Sequence, residues 1–590
     1  MSTARLGASR AWLRALERSD AALARPDGIL AVVIEERALA QPKAPALLSH
    51  LGSLSYAELA GQSNRYARWT LAQSVKSGEV VCLLMANSPD YVAAWLGITR
   101  AGAVAALLNT NLTGAALLHC IRTVQPRHVI ADQAFAAGLE SIAQAFGPEV
   151  VCWLKDAVAV PVTTKPLELG QLSPSTLPVA QHRPPSMREA ALLIFTSGTT
   201  GLPKAARVSH ARLTRWSFWF AGMMDATAQD RMYNCLPMYH SVGGVVAVGS
   251  LLVSGGAVAI APRFSASRFW DDIARWECTL FQYIGELCRY LVNAPPHPLE
   301  RAHSLRLCCG NGLRAEVWQR FVDRFAIPAI LEFYASTEGN IALYNVEGEP
   351  GALGRVPGYL AHRFGIALVQ LDHNTAEPIR DATGRCVRCD ANEAGEALGE
   401  IRDGNFEGYT EQAASDRKIL RDVFKAGDAW FRTGDLMTKD AKGFYMFVDR
   451  LGDTYRWKGE NVSTTEVADF LSACPGVIDA VVFGVLVPGA EGRAGMAVLA
   501  VDDAFELTAL RQACDRLPHY ARPKFVRVAP QIEATGTFKL VKATLAREGY
   551  GPYVSGDPCY MDDPADECYT IVDDRLLDRL ANGAGSLPIV

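Results

Sequence analysis

The chain has 590 residues, 49% hydrophobic and 21% charged, a globular balance that excludes a disordered chain, a collagen or a long coiled coil and leaves room for several domains. Its 58 basic and 63 acidic residues leave a net charge of −5 with no dominant basic tract, so no nucleic-acid partner is expected. The 14 cysteines are scattered, several of them in apolar runs (Cys82, Cys120, Cys278), as free thiols of a reducing compartment are; Cys386 and Cys389 form a C-x-x-C without a second pair, so no zinc site is read there.

In chain order, residues 1–20 lack the apolar core of a signal peptide. Basic residues alternate there with Trp12, Leu13 and Leu16, which predicts a short amphipathic helix that packs on the domain or touches a membrane surface. Strand-like runs at 80–85, 104–108 and 128–131, with helical spacing at 91–98, predict parallel α/β layers. Residues 178–189 read as a surface crossing, and 191–195 as a strand that runs into a glycine-rich loop. The segment holding Trp216, Phe218, Trp219, Phe220, Met223 and Met224 either lines a pocket or is ordinary core. Residues 241–261 carry no Asp, Glu, Lys or Arg and have the length of a membrane span. Gly243, Gly244, Gly249, Gly255 and Gly256 interrupt that stretch, so a buried helix at 244–252 and a buried strand at 257–260 are expected instead.

A boundary is expected near 452, dividing 1–451 from 452–590. Beyond it, helical spacing at 464–473 and 507–517 and strand-like runs at 477–485, 495–501 and 524–528 predict a separate α+β domain. The tail beyond 549 is acidic and rich in Pro and Gly, and is expected to wrap the surface or to be partly disordered.

The densest chemical signal is TSGTTGLPK at 196–204. Glycines let backbone N–H groups turn toward an anion, hydroxyls add donors, and a lysine adds a mobile charge. Thr196, Ser197, Gly198, Thr199, Thr200, Gly201 and Lys204 therefore read as a polyphosphate cradle, with a flexible turn as the alternative. It is not a Walker A loop, because Lys204 is followed by Ala205. In YASTEG at 334–339, Thr337 and Glu338 set a hydroxyl beside a carboxylate, which suits Mg²⁺ on phosphate oxygens or a helix cap. Gly310, Asn311 and Gly312 permit close approach to a flat ring, or simply a turn. Asp435 of TGD can accept both hydroxyls of a ribose and Arg450 can reach a ribose or phosphate oxygen; a charged hairpin is the alternative.

The ordered set TSGTTGLPK, YASTEG, TGD at 433–435 and Asp449-Arg450 resembles the ANL superfamily of adenylate-forming enzymes. YRWKGENVSTTEV at 455–467 and TGTFK at 535–539 are most similar to the fatty acid transport protein/very-long-chain acyl-CoA synthetase branch. The resemblance spans roughly 50–550 and implies an α/β chain with a large multi-subdomain N-terminal domain and a small mobile α+β C-terminal domain. It implies ATP, Mg²⁺ and coenzyme A as reaction partners and a fatty acid as the acid, joined through an acyl-adenylate. Residues 198–204 would hold the β/γ phosphates and Thr337 with Glu338 the ATP/Mg²⁺ pair. Tyr334 and the 310–312 turn would border adenine, and Asp435 and Arg450 the ribose. His240 would border the acyl carboxylate, and Gly243 and Gly244 would narrow a helix beside an acyl tunnel. Lys539 would touch the carboxylate and α-phosphate, with Lys542 as a weaker rival, and Phe538 departs from the glycine usual before that lysine. The pivot falls on Gly452, after which Arg456 and residues 458–461 would serve thioester formation.

The resemblance leaves three other readings: a CoA ligase for a bile/sterol, medium-chain or aryl acid; a fatty acid uptake protein with secondary activation; and a domain that loads a carrier protein. It is consistent with a cytoplasmic enzyme, with room for peripheral contact with the inner face of a membrane and for a homodimer. Lys539→Ala is expected to suppress acyl-adenylate formation far more than thioester formation from supplied acyl-adenylate, because the charge faces oxygens that gain charge in the first step. Separate assays of the two half-reactions check this, and equal losses would remove the role.

Overall fold

The computed structural model describes the chain apart from residues 1–2, 148, 157–163, 197–202, 373–374, 376, 403–404, 452–453, 458–459, 489–491, 533–541, 552–555, 564–567 and 582–590. The chain divides into two compact units: Met1–Ile366 with Gly399–Phe431 and Gly443–Tyr445, and Ala367–Leu398 with Arg432–Lys442 and Met446–Val590.

In the first unit, seven strands pair in the order Thr164–Pro166, Val151–Lys155, His128–Asp132, Val80–Leu84, Val104–Leu107, Ala190–Thr196, Lys204–Ser209. All neighbours are parallel except the last pair, a hairpin. The continuous apolar run at 80–84 follows from burial on both faces: Val81 and Leu83 join one core, Cys82 and Leu84 another. A second sheet runs Ala342–Asn345, Ile330–Ala335, Leu307–Asn311, Leu280–Ile284, Arg231–Asn234, Ala257–Ile260, Pro45–Leu48, Leu54–Ser55, parallel except at its two edges. Helices Tyr56–Ala72, Pro89–Arg100, His210–Met223 and Ala247–Ser254 share one apolar core with a face of each sheet.

The uncharged stretch 241–261 is a π-helical turn, Val242–Val246, then helix Ala247–Ser254 and strand Ala257–Ile260, all buried apart from Val242 and Ser254. Among the described residues no helix is long and apolar enough to cross a membrane. A Cβ at Gly243 would fall 2.6 Å from the Pro237 carbonyl oxygen, and one at Gly244 would overlap that of Met238. The glycine pair thus lets this turn press on the segment that ends at His240. Near the N-terminus, residues Thr3–Leu23 form the expected amphipathic helix, with Trp12 fully buried and Leu13 on the exposed side.

The second unit contains a sheet in the order Val477–Val485, Ala494–Val501, Phe525–Ala529, Cys559–Asp563, Cys568–Ile571. Its last two strands correct the expectation for the tail: Met561 pairs with Phe525 and Ile571 with Tyr560. The acidic composition that suggested a solvated wrap serves specific partners. Arg511 Nε lies 2.5 Å from Asp562, and Arg527 Nη2 2.6 Å from Asp557. Segments 367–398 and 432–442 also group with this unit, ahead of residue 452. Two ladder bonds order the earlier segment, Gln370 N–H to Val387 O and Cys389 N–H to Leu368 O, and Arg432 Nη2 reaches Glu396 at 2.8 Å.

Helix Thr464–Ser472 starts on a buried acceptor. The Asp449 carboxylate accepts from the Thr464 N–H at 2.7 Å and from the hydroxyls of Ser463, Thr464 and Thr465 at 3.2–3.3 Å. Asp449→Ala is expected to cost this helix about 1–3 kcal/mol, since its buried donors lose their acceptor. Amide hydrogen exchange of 464–472 should accelerate while that of Ala494–Val501 stays slow; unchanged exchange in the helix would show that the cap does not stabilise it.

Candidate functional site

The hydroxyl- and glycine-rich segment is flanked by two paired antiparallel strands. Thr196 ends one strand, Lys204 opens the next, and the two pair across the ladder. Ser197, Gly198, Thr199, Thr200 and Gly201 lie outside the described residues. The strand opened by Lys204 also carries a second segment: Ala206 bridges to Tyr409, and the Thr410 N–H donates to Ala205 O at 2.9 Å.

That pairing brings Tyr409 to the base of the loop. Lys204 Nζ stands 5.7 Å from the centroid of the Tyr409 ring, a cation–π geometry. The Tyr409 hydroxyl donates to Glu338 Oε1 at 3.0 Å. Burial, then the Glu338 charge, push the phenol well above its ordinary value, so it remains a donor. Thr196 also hydrogen-bonds this hydroxyl. Thr196, Lys204 and Glu338, read from motifs more than 130 residues apart, therefore meet on a tyrosine that no motif named. Its sequence signal is no more than an aromatic beside a glycine at 408–409.

Thr337 is fixed from two sides. Its hydroxyl lies 3.1 Å from Ser241 Oγ, and its carbonyl accepts from Arg212 Nη1 at 3.0 Å. Arg212, 8% exposed, also donates to the Asn405 carbonyl at 2.9 Å and lies 3.4 Å from Glu407. His240 is half-buried just before Ser241, its ring 4.6 Å from that of Tyr239. Tyr334 is half-buried in strand Ile330–Ala335 and pairs with Leu343.

The turn after strand Leu307–Asn311 depends on Glu332. A Cβ at Gly310 would overlap the Tyr283 carbonyl and ring, so only glycine fits against that strand. Glu332, 2% exposed, accepts from the Gly312 N–H, from the Leu313 N–H at 3.2 Å and from the Tyr283 hydroxyl. Burial raises its carboxyl to about 8, against the opposing pull of those donors. Its signal in the sequence is one acid inside the apolar strand run 329–333. Asn311 Oδ1 and Ser336 Oγ are buried without a hydrogen-bond partner among the described residues.

A cavity of about 320 Å³ opens beside Thr337, lined by rings such as Trp216, Trp219, Phe220, Phe333 and Tyr344 and also by charged side chains, among them Arg212, Arg215, Asp20, Arg363, Glu400 and Arg402. The aromatic segment is thus divided: Trp216, Trp219 and Phe220 line this cavity, while Met223 and Met224 are core.

In the second unit, Arg450 Nε lies 3.1 Å from Asp435 Oδ1, and Asp435 is 6% exposed. The fully buried Glu396 supports the turn by accepting from the Gly434 N–H at 3.2 Å and binding Arg432. Sequence reasoning did not find Glu396. Lys542 Nζ donates to Thr464 Oγ1 at 2.8 Å. Lys539 and Gly452 lie outside the described residues, as does the Arg456 side chain, whose backbone pairs with Asn461.

Residues 34–400 match the AMP-binding enzyme family, and 466–539 its C-terminal domain. The long-chain fatty acid transport protein 1 of Mus musculus is 38% identical over 93% of this chain and 86% of its own length. Long-chain fatty acid transport protein 6 of Mus musculus is 39% identical over 92% and 88%. Among solved structures, ATP-bound MatB from Rhodopseudomonas palustris aligns with a TM-score of 0.73 at 24% identity, covering 88% of this chain and 98% of that one. The anthranilate CoA ligase AuaEII with anthranoyl-AMP gives 0.74 at 22%, covering 88% and 96%. At these identities the solved structures speak for the fold: a large N-terminal α/β domain and a smaller α+β domain.

Because its folded value is raised, the neutral Glu332 carboxyl stabilises the fold below its unfolded value of about 4.5, and that contribution is lost as pH rises through about 8. The loss is at most about 1.4 kcal/mol per pH unit. Glu332→Gln is neutral throughout, so its unfolding midpoint should fall less steeply than the wild type's between about pH 5 and 8. Identical slopes in denaturant melts would mean the carboxyl is ionised in the folded protein.

Proposed function

The chain belongs to the AMP-binding enzymes, in the family of the long-chain fatty acid transport proteins, and from that footing we propose that this acid–thiol ligase joins a long- or very-long-chain fatty acid to coenzyme A. In the first half-reaction a carboxylate oxygen attacks the α-phosphorus of ATP, pyrophosphate leaves, and an acyl-adenylate forms. In the second, the CoA sulfur attacks the acyl carbonyl and AMP leaves. The carboxylate is already ionised and nucleophilic, so His240 orients it or gates its pocket and need not act as a base.

The observation that carries the reading is the adjacency to Thr337 of a cavity walled in part by aromatic rings, with the neighbouring Glu338 joined through Tyr409 to Lys204 and Thr196, which flank the proposed phosphate loop. An acyl chain suits the rings, and the polyphosphate suits the loop and Lys204. The orphaned Asn311 and Ser336 oxygens support a polar ligand between turn and strand. Thr337 and Glu338 present hard oxygen donors and would hold Mg²⁺, which neutralises phosphate charge when bound. Asp435 and Arg450 take the ribose. The 452–590 domain is the mobile part in this reading, delivering Lys539 for adenylation and Arg456 for thioester formation. No disulfide joins the cysteines among the described residues, which suits a cytoplasmic setting.

The test is a panel of short to very long acids with ATP and CoA, read by mass spectrometry. Acyl-CoA, AMP and pyrophosphate are expected in equal amounts, with highest kcat/KM for long chains. ADP as product would defeat the adenylation, and preference for an aryl or sterol acid would defeat the fatty acid.

A further inference from the structure

Helix His210–Met223 turns one face to the cavity. Arg212, Arg215, Trp216, Trp219 and Phe220 line it, at the spacing i, i+3, i+4, i+7, i+8 that makes a single helical stripe. Eight residues at helical rise span about 12 Å. At the start of the stripe Arg212 binds the Thr337 carbonyl, and at its far end Phe220 packs on Phe333, ring centroids 4.7 Å apart. The stripe therefore leads from the proposed reacting end to an aromatic wall.

Trp12 backs that wall. It is 0% exposed and meets three cavity-lining rings edge-on: Trp219 at 5.7 Å, Tyr344 at 5.4 Å and Phe364 at 5.2 Å. One turn later on the same helix, Leu16 lines the cavity directly. This helix precedes residue 34, where the family match begins. It is held in place by carbonyls at and just beyond the C-terminal end of the other helix: Arg14 Nε donates to Gly222 O at 2.7 Å, and Arg18 Nη1 to Ala221 O and Ala226 O at 3.0 Å. A Cβ at Gly222 would overlap the Ala15 backbone, so the two helices touch main chain to main chain.

We infer that the N-terminal helix is the length gauge of the acyl site, with Trp12 and Leu16 setting the longest chain accepted. The inference rests on the fatty-acyl ligase reading. A chain whose carboxylate lies near Thr337 runs along the stripe and stops at the rings that Trp12 supports. Close-packed rings cannot yield to another methylene while the indole stands behind them. Removing the indole gives the wall room to retreat, and enlarging residue 16 takes room away.

The test uses the full chain as wild type, Trp12→Ala, Trp12→Phe and Leu16→Trp. Each is first checked for a cooperative melt, so that at least one variant of either kind is read in a folded protein. Two readouts follow across saturated acids of increasing length: displacement of a fluorescent fatty acid, and kcat/KM for acyl-CoA formation. Shortening Trp12 should raise the ratio for acids one or two methylenes beyond the wild-type limit by at least about tenfold, the scale on which apolar pockets discriminate a methylene. Leu16→Trp should lower the limit by a similar factor and leave shorter acids bound as before. A wild-type length optimum that folded variants at neither position move, in displacement or in turnover, overturns the gauge alone. A wild type that takes no fatty acid of any length overturns the ligase reading and the gauge with it.

Discussion

A single buried carboxyl constrains the first unit's site more than any other group. Glu332 sits in the middle of a strand packed on both faces, where an unpartnered acid would be expensive. Its oxygens take the donors of the neighbouring turn and of Tyr283, so three consecutive strands of the sheet agree on one register at their ends. The turn at 310–312 can then approach a flat ligand with bare backbone. The strand that carries Glu332 continues into Tyr334, Thr337 and Glu338, so the same anchor positions both flanks of the proposed nucleotide contacts.

The second organising contact is Tyr409. Its phenol is shared between Thr196 and Glu338, and its ring lies under Lys204. One tyrosine thus contacts a cation through its ring and a carboxylate through its hydroxyl. Arg212 plays a comparable part for Thr337, since a buried guanidinium bound to two backbone carbonyls ties helix His210–Met223 to Thr337 and Asn405.

Much of the architecture was legible because burial imposes period and composition. The strands at 80–84, 104–107 and 190–196 announced themselves as apolar runs, since residues covered on both faces have no polar side to show. The tail was misread for the complementary reason. Asp557 and Asp562 are acids whose arginine partners lie at 527 and 511, and composition records charge without recording its partner. Glu396, Arg212 and Tyr409 escaped notice likewise, each gaining its meaning from a neighbour far along the chain.

By itself the sequence determined the alternation of strands and helices, the adenylate-forming family and the candidate motifs at 196–204, 337–338 and 435–450, because these depend on local backbone freedom, periodic burial and residues close together in the chain. Only the tertiary structure decided which distant side chains complete them. Tyr409 reached the loop through strand pairing, Glu332 met its donors through sheet register, and Trp12 stood behind the cavity wall through helix packing. Those choices follow from long-range contacts whose free energy exists only once the core has closed, and no window of sequence contains both partners.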